Sequence, residues 1–190
     1  CAFSTFAQHS FSVLVYTKNG TGYVHDNIPS AVAAVQQLGK ENHFKVDVSA
    51  DPSVFEEKNL SKYKLLIFTS TNNDVFDNDQ QRLAFRRYME AGGGFVGVHS
   101  VTGTERKWNW FKMMVGETFT WHAKFQPFTV INIAPSHPSM KGVPLKWTKE
   151  DECYFGAELY PGFQTLMMHE VASLDISQKD LIDKNKGVFG

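Results

Sequence analysis

The run Leu65, Leu66, Ile67 and Phe68 is apolar without interruption, whereas a strand with one wet face alternates apolar and polar residues. Such a run marks a strand covered on both faces, the usual state of a parallel strand between helices. Its neighbours supply the rest of that architecture. The stretch 11–17, with Val13, Leu14, Val15 and Tyr16, reads as a strand that stops at the turn-forming residues 18–22. In 28–42, Ile28, Val32, Val35 and Leu38 recur at helical spacing, with Asn27 as the cap and Pro29 in the first turn. Strands are expected at 45–49 and 64–69, then a helix at 77–91 with Leu83, Phe85, Tyr88 and Met89, closing on Gly92, Gly93 and Gly94. A buried strand follows at 95–98, and further strands at 128–133 and 164–170. Strand, helix, strand, connector, strand is the α/β signature with a mostly parallel sheet.

The chain has 190 residues, 42% of them hydrophobic, which suits one domain over 11–190 with a sizeable core. Nineteen basic and 20 acidic residues leave a net charge of -1 with no basic block, so nucleic acid is not an expected partner. No apolar run approaches the roughly 20 residues of a membrane-spanning helix, so no transmembrane segment is expected. Residues 1–8 look like the tail of a secretory leader ending near Ala7, and 1–10 read as a leader remnant or a disordered N-terminus. A periplasmic or secreted protein is the expectation, with Cys1 as a lipid-modified terminus in a rival account and a cytoplasmic protein otherwise. Two cysteines give no disulfide framework. The lysine- and aspartate-rich stretch 175–190 shows no clear element and reads as a truncated end. A homo-oligomer is compatible with all of this.

In open parallel sheets ligands collect beyond the carboxyl ends of the strands. Polar residues there are the first candidates: Lys18 and Asn19 after the first strand, Ser70, Thr71, Asn72 and Asn73 after the third, His99 and Ser100 after the fourth. His99 stands where many α/β enzymes mount a nucleophile on a sharp elbow. Imidazole there suits acid/base work or metal ligation, although a buried, backbone-bonded histidine fits the position equally. His25, beside Tyr23 and Asp26 in a glycine-bearing loop, is placed to fold over the same crevice, while Asp26 also fits a helix-capping role. His122 lies in an aromatic-rich stretch that includes Trp110 and Trp121, whose indoles offer flat faces for a sugar ring if exposed and core packing if not. The adjacent Asp151 and Glu152 fit acid/base or ligand roles, or a solvated turn. No local metal motif occurs, so a divalent ion would need His25, His99 and His122 from separate segments, with Asp151 or Glu152. Three such histidines can equally bind hydroxylated or anionic ligands through hydrogen bonds.

Taken in order, residues 13–18, Gly22-Tyr-Val-His-Asp26, Gly92-Gly-Gly-Phe-Val-Gly-Val-His-Ser100, Trp108-Asn-Trp110, His137-Pro138 and Asp151-Glu152-Cys-Tyr154 resemble the ThuA-like family, named for trehalose utilisation. The resemblance runs from about Val13 to about Ser173. It implies a flavodoxin-like, class I glutamine amidotransferase-like fold with helices on both faces of the sheet. It also implies a role in bacterial carbohydrate catabolism, including pathways through 3-keto-glycosides. Amidotransferases of this kinship carry cysteine at the elbow and a later His-x-Glu, whereas this chain has His99 there and Cys153 far downstream. Glutaminase chemistry, which needs a thiolate, is therefore disfavoured. The family's acidic pair matches Asp151 and Glu152, while its glycine- and arginine-rich closing strand is not visible. The expected function is processing of a small (3-keto-)glycoside by a hydrolase, lyase or isomerase, with His99 as acid/base or ligand and His25 and His122 assisting. Lys18, Tyr23, Asn72, Ser100, Trp110, Trp121, Asp151 and Glu152 are the expected substrate contacts. The alternative is a sugar-binding or partner-dependent module without catalysis.

Overall fold

The computed structural model describes residues 11–175, which divide after Trp108 into two compact units. The leader-like segment and the stretch 176–190 lie outside the described residues. In the first unit, β1 (Ser12–Tyr16), β2 (Lys45–Ser49), β3 (Leu65–Thr69) and β4 (Gly94–Val98) form a wholly parallel sheet in the order β2-β1-β3-β4. Helices α1 (Ile28–Glu41), α2 (Glu57–Leu60) and α3 (Asp79–Glu90) complete it.

Alternation along the central strands assigns the two faces. Val13, Val15 and Ile67 meet Val35 of α1 on one side. On the other, Phe85 of α3 packs its ring 5.4 Å from Phe68 and 5.8 Å from Phe95, centroid to centroid. Both faces of β1 and β3 are thus covered, which is why Val13, Val15, Tyr16, Leu66 and Phe68 have no exposed surface and alternation is lost from the sequence. The chain steps outward from β1 to β2 and, across the sheet, from β3 to β4. This is a flavodoxin-like winding, with the switch point between β1 and β3.

Two expectations for α1 change. Its packed seam is Val35 and Gly39, and Leu38 is 50% exposed. A Cβ on Gly39 would stand 2.7 Å from the Val46 side chain and 2.9 Å from the Phe44 carbonyl, so the helix approaches β2 at the glycine and turns Leu38 outward. Asn27 precedes the helix, yet its side chain makes no capping bond; only its carbonyl accepts, from Ala31 N–H at 2.9 Å. Asn78 does cap α3, accepting from Gln81 N–H at 3.0 Å.

The second unit opens with α4 (Asn109–Val115) and continues as antiparallel strands: β5 (Glu117–His122), β6 (Gln126–Asn132), β7 (Lys146–Asp151), β8 (Tyr154–Leu159) and β9 (Met167–His169). β5 pairs with β8, and β6 lies between β7 and β9. The strand expected at 164–170 shortens to β9, and β5, β7 and β8 were not anticipated. β5 runs into β6 as β7 runs into β8, and one antiparallel ladder follows both through the bend, with Gln126 opposite Asp151, His122 opposite Tyr154, and Ala123 N–H bonded to the Cys153 carbonyl between them. Ala123, Phe128, Cys153, Phe155 and Leu174 form the core inside that bend.

Candidate functional site

The strand ends of the first unit converge as the parallel sheet requires. β4 ends at Val98, and His99 follows with φ 55° and ψ -105°, outside the regions ordinary side chains favour. A single 3-10 turn, Ser100–Gly103, leaves at once, so His99 caps a sharp reversal. Gly97 makes that reversal fit, because a Cβ there would stand 2.3 Å from the Val101 side chain. Five described non-glycine residues have positive φ, and four of them (Ser70, Asn73, His99 and Glu105) lie in the loops after β3 and β4. Strain gathered at one end of a sheet is the mark of a site that the surrounding structure holds in place.

What holds it is a zip between the two loops. Asn73 N–H donates to the Gly103 carbonyl, and Glu105 N–H to the Asn73 carbonyl at 3.0 Å. The hydroxyls of Thr71 and Thr104 meet at 2.8 Å, and Ser100 Oγ donates to the Thr71 carbonyl at 3.0 Å. Glu105, 2% exposed, accepts from Val75 N–H at 2.8 Å and Phe76 N–H at 3.1 Å, and from Arg82 Nε of α3 at 2.8 Å. That carboxylate raises the affinity of Arg82 for its proton, chiefly through the hydrogen bond. Sequence reading passed over Glu105 and Arg106, because a charged pair in Thr-Glu-Arg-Lys looks like any solvated turn.

Asn72 and Asn73 reach out from this brace to a third loop. Asn73 Nδ2 donates to the Thr21 carbonyl at 3.0 Å and Asn72 Nδ2 to the Tyr23 carbonyl at 3.4 Å. The same loop brings His25 to His99, with Nδ1 of the first 3.1 Å from Nε2 of the second and the rings edge to face at 4.3 Å. Tyr23 stands edge-on to His25 at 4.8 Å. His99 is exposed and His25 half-buried, so the pair faces solvent. A bond between two imidazole nitrogens needs a hydrogen on one and a bare lone pair on the other, which gives adjacent donor and acceptor functions. Lys18, at the end of β1, forms an ion pair with Asp77.

The structure thus joins His25, His99, Tyr23, Asn72 and Ser100 in the first unit, with Ser100 committed to the loop brace, while Lys18 is paired with Asp77. The remaining sequence candidates fall in the second unit. There His122 Nδ1 donates to the Ala123 carbonyl at 2.9 Å and has Glu152 Oε1 at 3.6 Å. Tyr154 O–H donates to Glu152, and Asp151 takes the ammonium of Lys149 at 2.6 Å and the Glu152 N–H at 2.8 Å. Trp121 stacks on Phe155 at 4.7 Å and lies against the core, and Trp110 sits half-buried in α4. Within each unit, among the described residues, no three His, Cys, Asp or Glu side chains are grouped to hold a metal ion. Cys153 is buried, and burial pushes its thiol up to about 12, the opposite of an activated nucleophile.

Comparison with known proteins agrees with this architecture. A ThuA-like protein from Bacteroides uniformis superposes with a TM-score of 0.73 at 22% identity, over 90% of this chain and 72% of its own. A ThuA-like protein from Parabacteroides merdae superposes with a TM-score of 0.61 at 21% identity, over 84% of this chain and 68% of its own. The search against curated proteins returns no match. The family model described as "Trehalose utilisation" matches residues 12–186, and the chain accordingly belongs to the ThuA family.

Proposed function

We propose that this protein processes a small glycoside, in its oxidised 3-keto form, at the crevice of His25 and His99. Membership of the family supports a function related to trehalose utilisation. The observation that carries the finer reading is the 3.1 Å contact between the two imidazoles at the strained end of β4, beside the switch point of a parallel sheet. A carbonyl on a sugar ring makes the hydrogen on the neighbouring carbon acidic. Removing that proton and returning it to carbon or to the carbonyl oxygen isomerises the sugar. In elimination the C–O bond to the leaving group breaks as the proton is removed and the departing oxygen is protonated, and addition of water to the resulting enone completes a net hydrolysis. His99 is the exposed partner that meets the substrate, and His25 passes or accepts the shared proton. No cysteine stands at the elbow, so acyl transfer through a thioester has no nucleophile there.

The test is turnover of a 3-keto-glycoside by full-length protein. His99→Ala and His25→Ala are each expected to lower kcat by about 10²- to 10⁴-fold, the usual worth of a general acid or base, with an unchanged thermal midpoint. Undiminished turnover by His99→Ala overturns the assignment. Saturable sugar binding by the unmutated protein with no turnover of any keto-glycoside would instead support a binding module.

A further inference from the structure

At the ends of β1 and β3, lined in part by residues 18–21 of the loop that leads to His25, a cavity of about 620 Å³ opens to solvent. Its lining carries both signs of charge: the cations Lys18, Arg106 and Lys107, and the carboxylates Asp74 and Asp77. Amides join them. Asn19 Oδ1 is buried and accepts no hydrogen bond among the described residues, although its Nδ2 is spent on the Thr17 carbonyl at 3.2 Å. Phe76, 3% exposed, is the apolar member of the lining.

This donor and acceptor set discriminates among ligands. An inorganic anion would meet the carboxylates of Asp74 and Asp77. A metal ion would meet three cations, and an apolar ligand would strip water from charged groups without replacing it. A hydroxyl is donor and acceptor at once, so a molecule dense in hydroxyls can give to Asp74 and Asp77 and receive from Lys18, Arg106 and Lys107. We infer that this cavity is a second binding subsite, which takes a neutral, hydroxyl-rich part of the ligand.

Its wall is also the support of the histidine pair. Gly20 N–H donates to the Asn72 carbonyl at 2.9 Å, and a Cβ on Gly20 would stand 2.6 Å from the Asp74 backbone, so loops 18–21 and 72–74 touch main chain to main chain. The same loop continues through the Thr21 and Tyr23 carbonyls, held by Asn73 and Asn72, to His25. A ligand bridging Lys18 and Asp74 therefore fastens the loop that presents His25 to His99. Binding energy from the far part of the substrate is spent on ordering the reacting groups. The inference rests on the sugar-binding side of the reading above and not on its proton chemistry.

Full-length protein is titrated with D-glucitol, D-glucose and inorganic phosphate while the amide resonances of Gly20, Thr21, Asn73 and Asp74 are followed. The polyols are expected to shift them saturably in the millimolar range and phosphate to leave them in place. Asp74→Asn, at an exposed side chain, is expected to weaken glucitol binding by about tenfold. His99→Ala is expected to leave it unchanged. Response to phosphate alone, no response to polyols, or equal affinity in Asp74→Asn overturns the subsite. Turnover without glucitol binding would remove the subsite and keep the proposed reaction; glucitol binding without turnover would do the reverse.

Discussion

At the scale of single residues, the site is made by side chains that spend their hydrogen bonds on backbone. Glu105 is the extreme case, a buried carboxylate in a left-handed conformation at φ 48° that fastens two N–H groups and one guanidinium. Removing one partner of such a group leaves the others desolvated and unpaired. Glu105→Ala is expected to lower unfolding stability by about 3–5 kcal/mol in chemical denaturation. Glu105→Gln keeps an acceptor for Val75 and Phe76 and should cost clearly less; equal losses would show that the charge on Arg82 dominates. Gly97→Ala works by contact, since the new methyl must displace Val101 from under the elbow. It is expected to lower turnover more than Gly92→Ala, where nothing lies within 4 Å of the added atom, though Gly92 has a positive φ and Gly97 does not.

At the scale of elements, the bent ladder of the second unit buries groups that titrate. His169, in β9, has its proton affinity lowered by burial, with its ring 5.2 Å from Phe155. The unfolded chain then binds that proton more readily than the folded one. The stability this imidazole contributes is complete above its unfolded value of about 6.5 and is lost as pH falls through 6.5 toward the lower folded value. His169→Phe is expected to flatten the acid limb of the stability curve measured by urea unfolding; an unchanged slope would refute the assignment. Glu117 behaves in the mirror sense, since burial raises its carboxyl and ionisation as pH rises from about 4.5 disfavours the fold. Cys153, with its thiol pushed up to about 12, is expected to resist alkylation at pH 8 in native protein and react once the bend is unfolded.

At the scale of the whole molecule, the balance of 19 basic and 20 acidic residues sets long-range behaviour. With a net charge of -1 and no basic block, there is little counterion release to gain from a phosphate backbone. No retention on duplex DNA is expected at about 150 mM salt, and retention lost only on raising salt would contradict it. Solubility should be lowest near the sequence pI of 6.7. No helix of the described residues is long and apolar enough to cross a membrane.

The sequence by itself determined the parallel sheet and the elbow. Periodicity is a local property, and Leu65 to Phe68, the α1 and α3 patterns and the closing glycines report it directly. It also put His99 and His25 forward, since strand ends are legible once strands are. The antiparallel half was far less legible. β7 carries Trp147 among charged and polar residues, and the β5–β8 ladder shifts register twice, so no period survives to be read. Only the tertiary structure decided that His25 meets His99 across 74 residues, that Asn72 and Asn73 hold the loop between them, and that Glu105 is buried. Those facts are set by which loops the winding brings together, and a side chain's partner 30 or 70 positions away leaves no trace in its own neighbourhood.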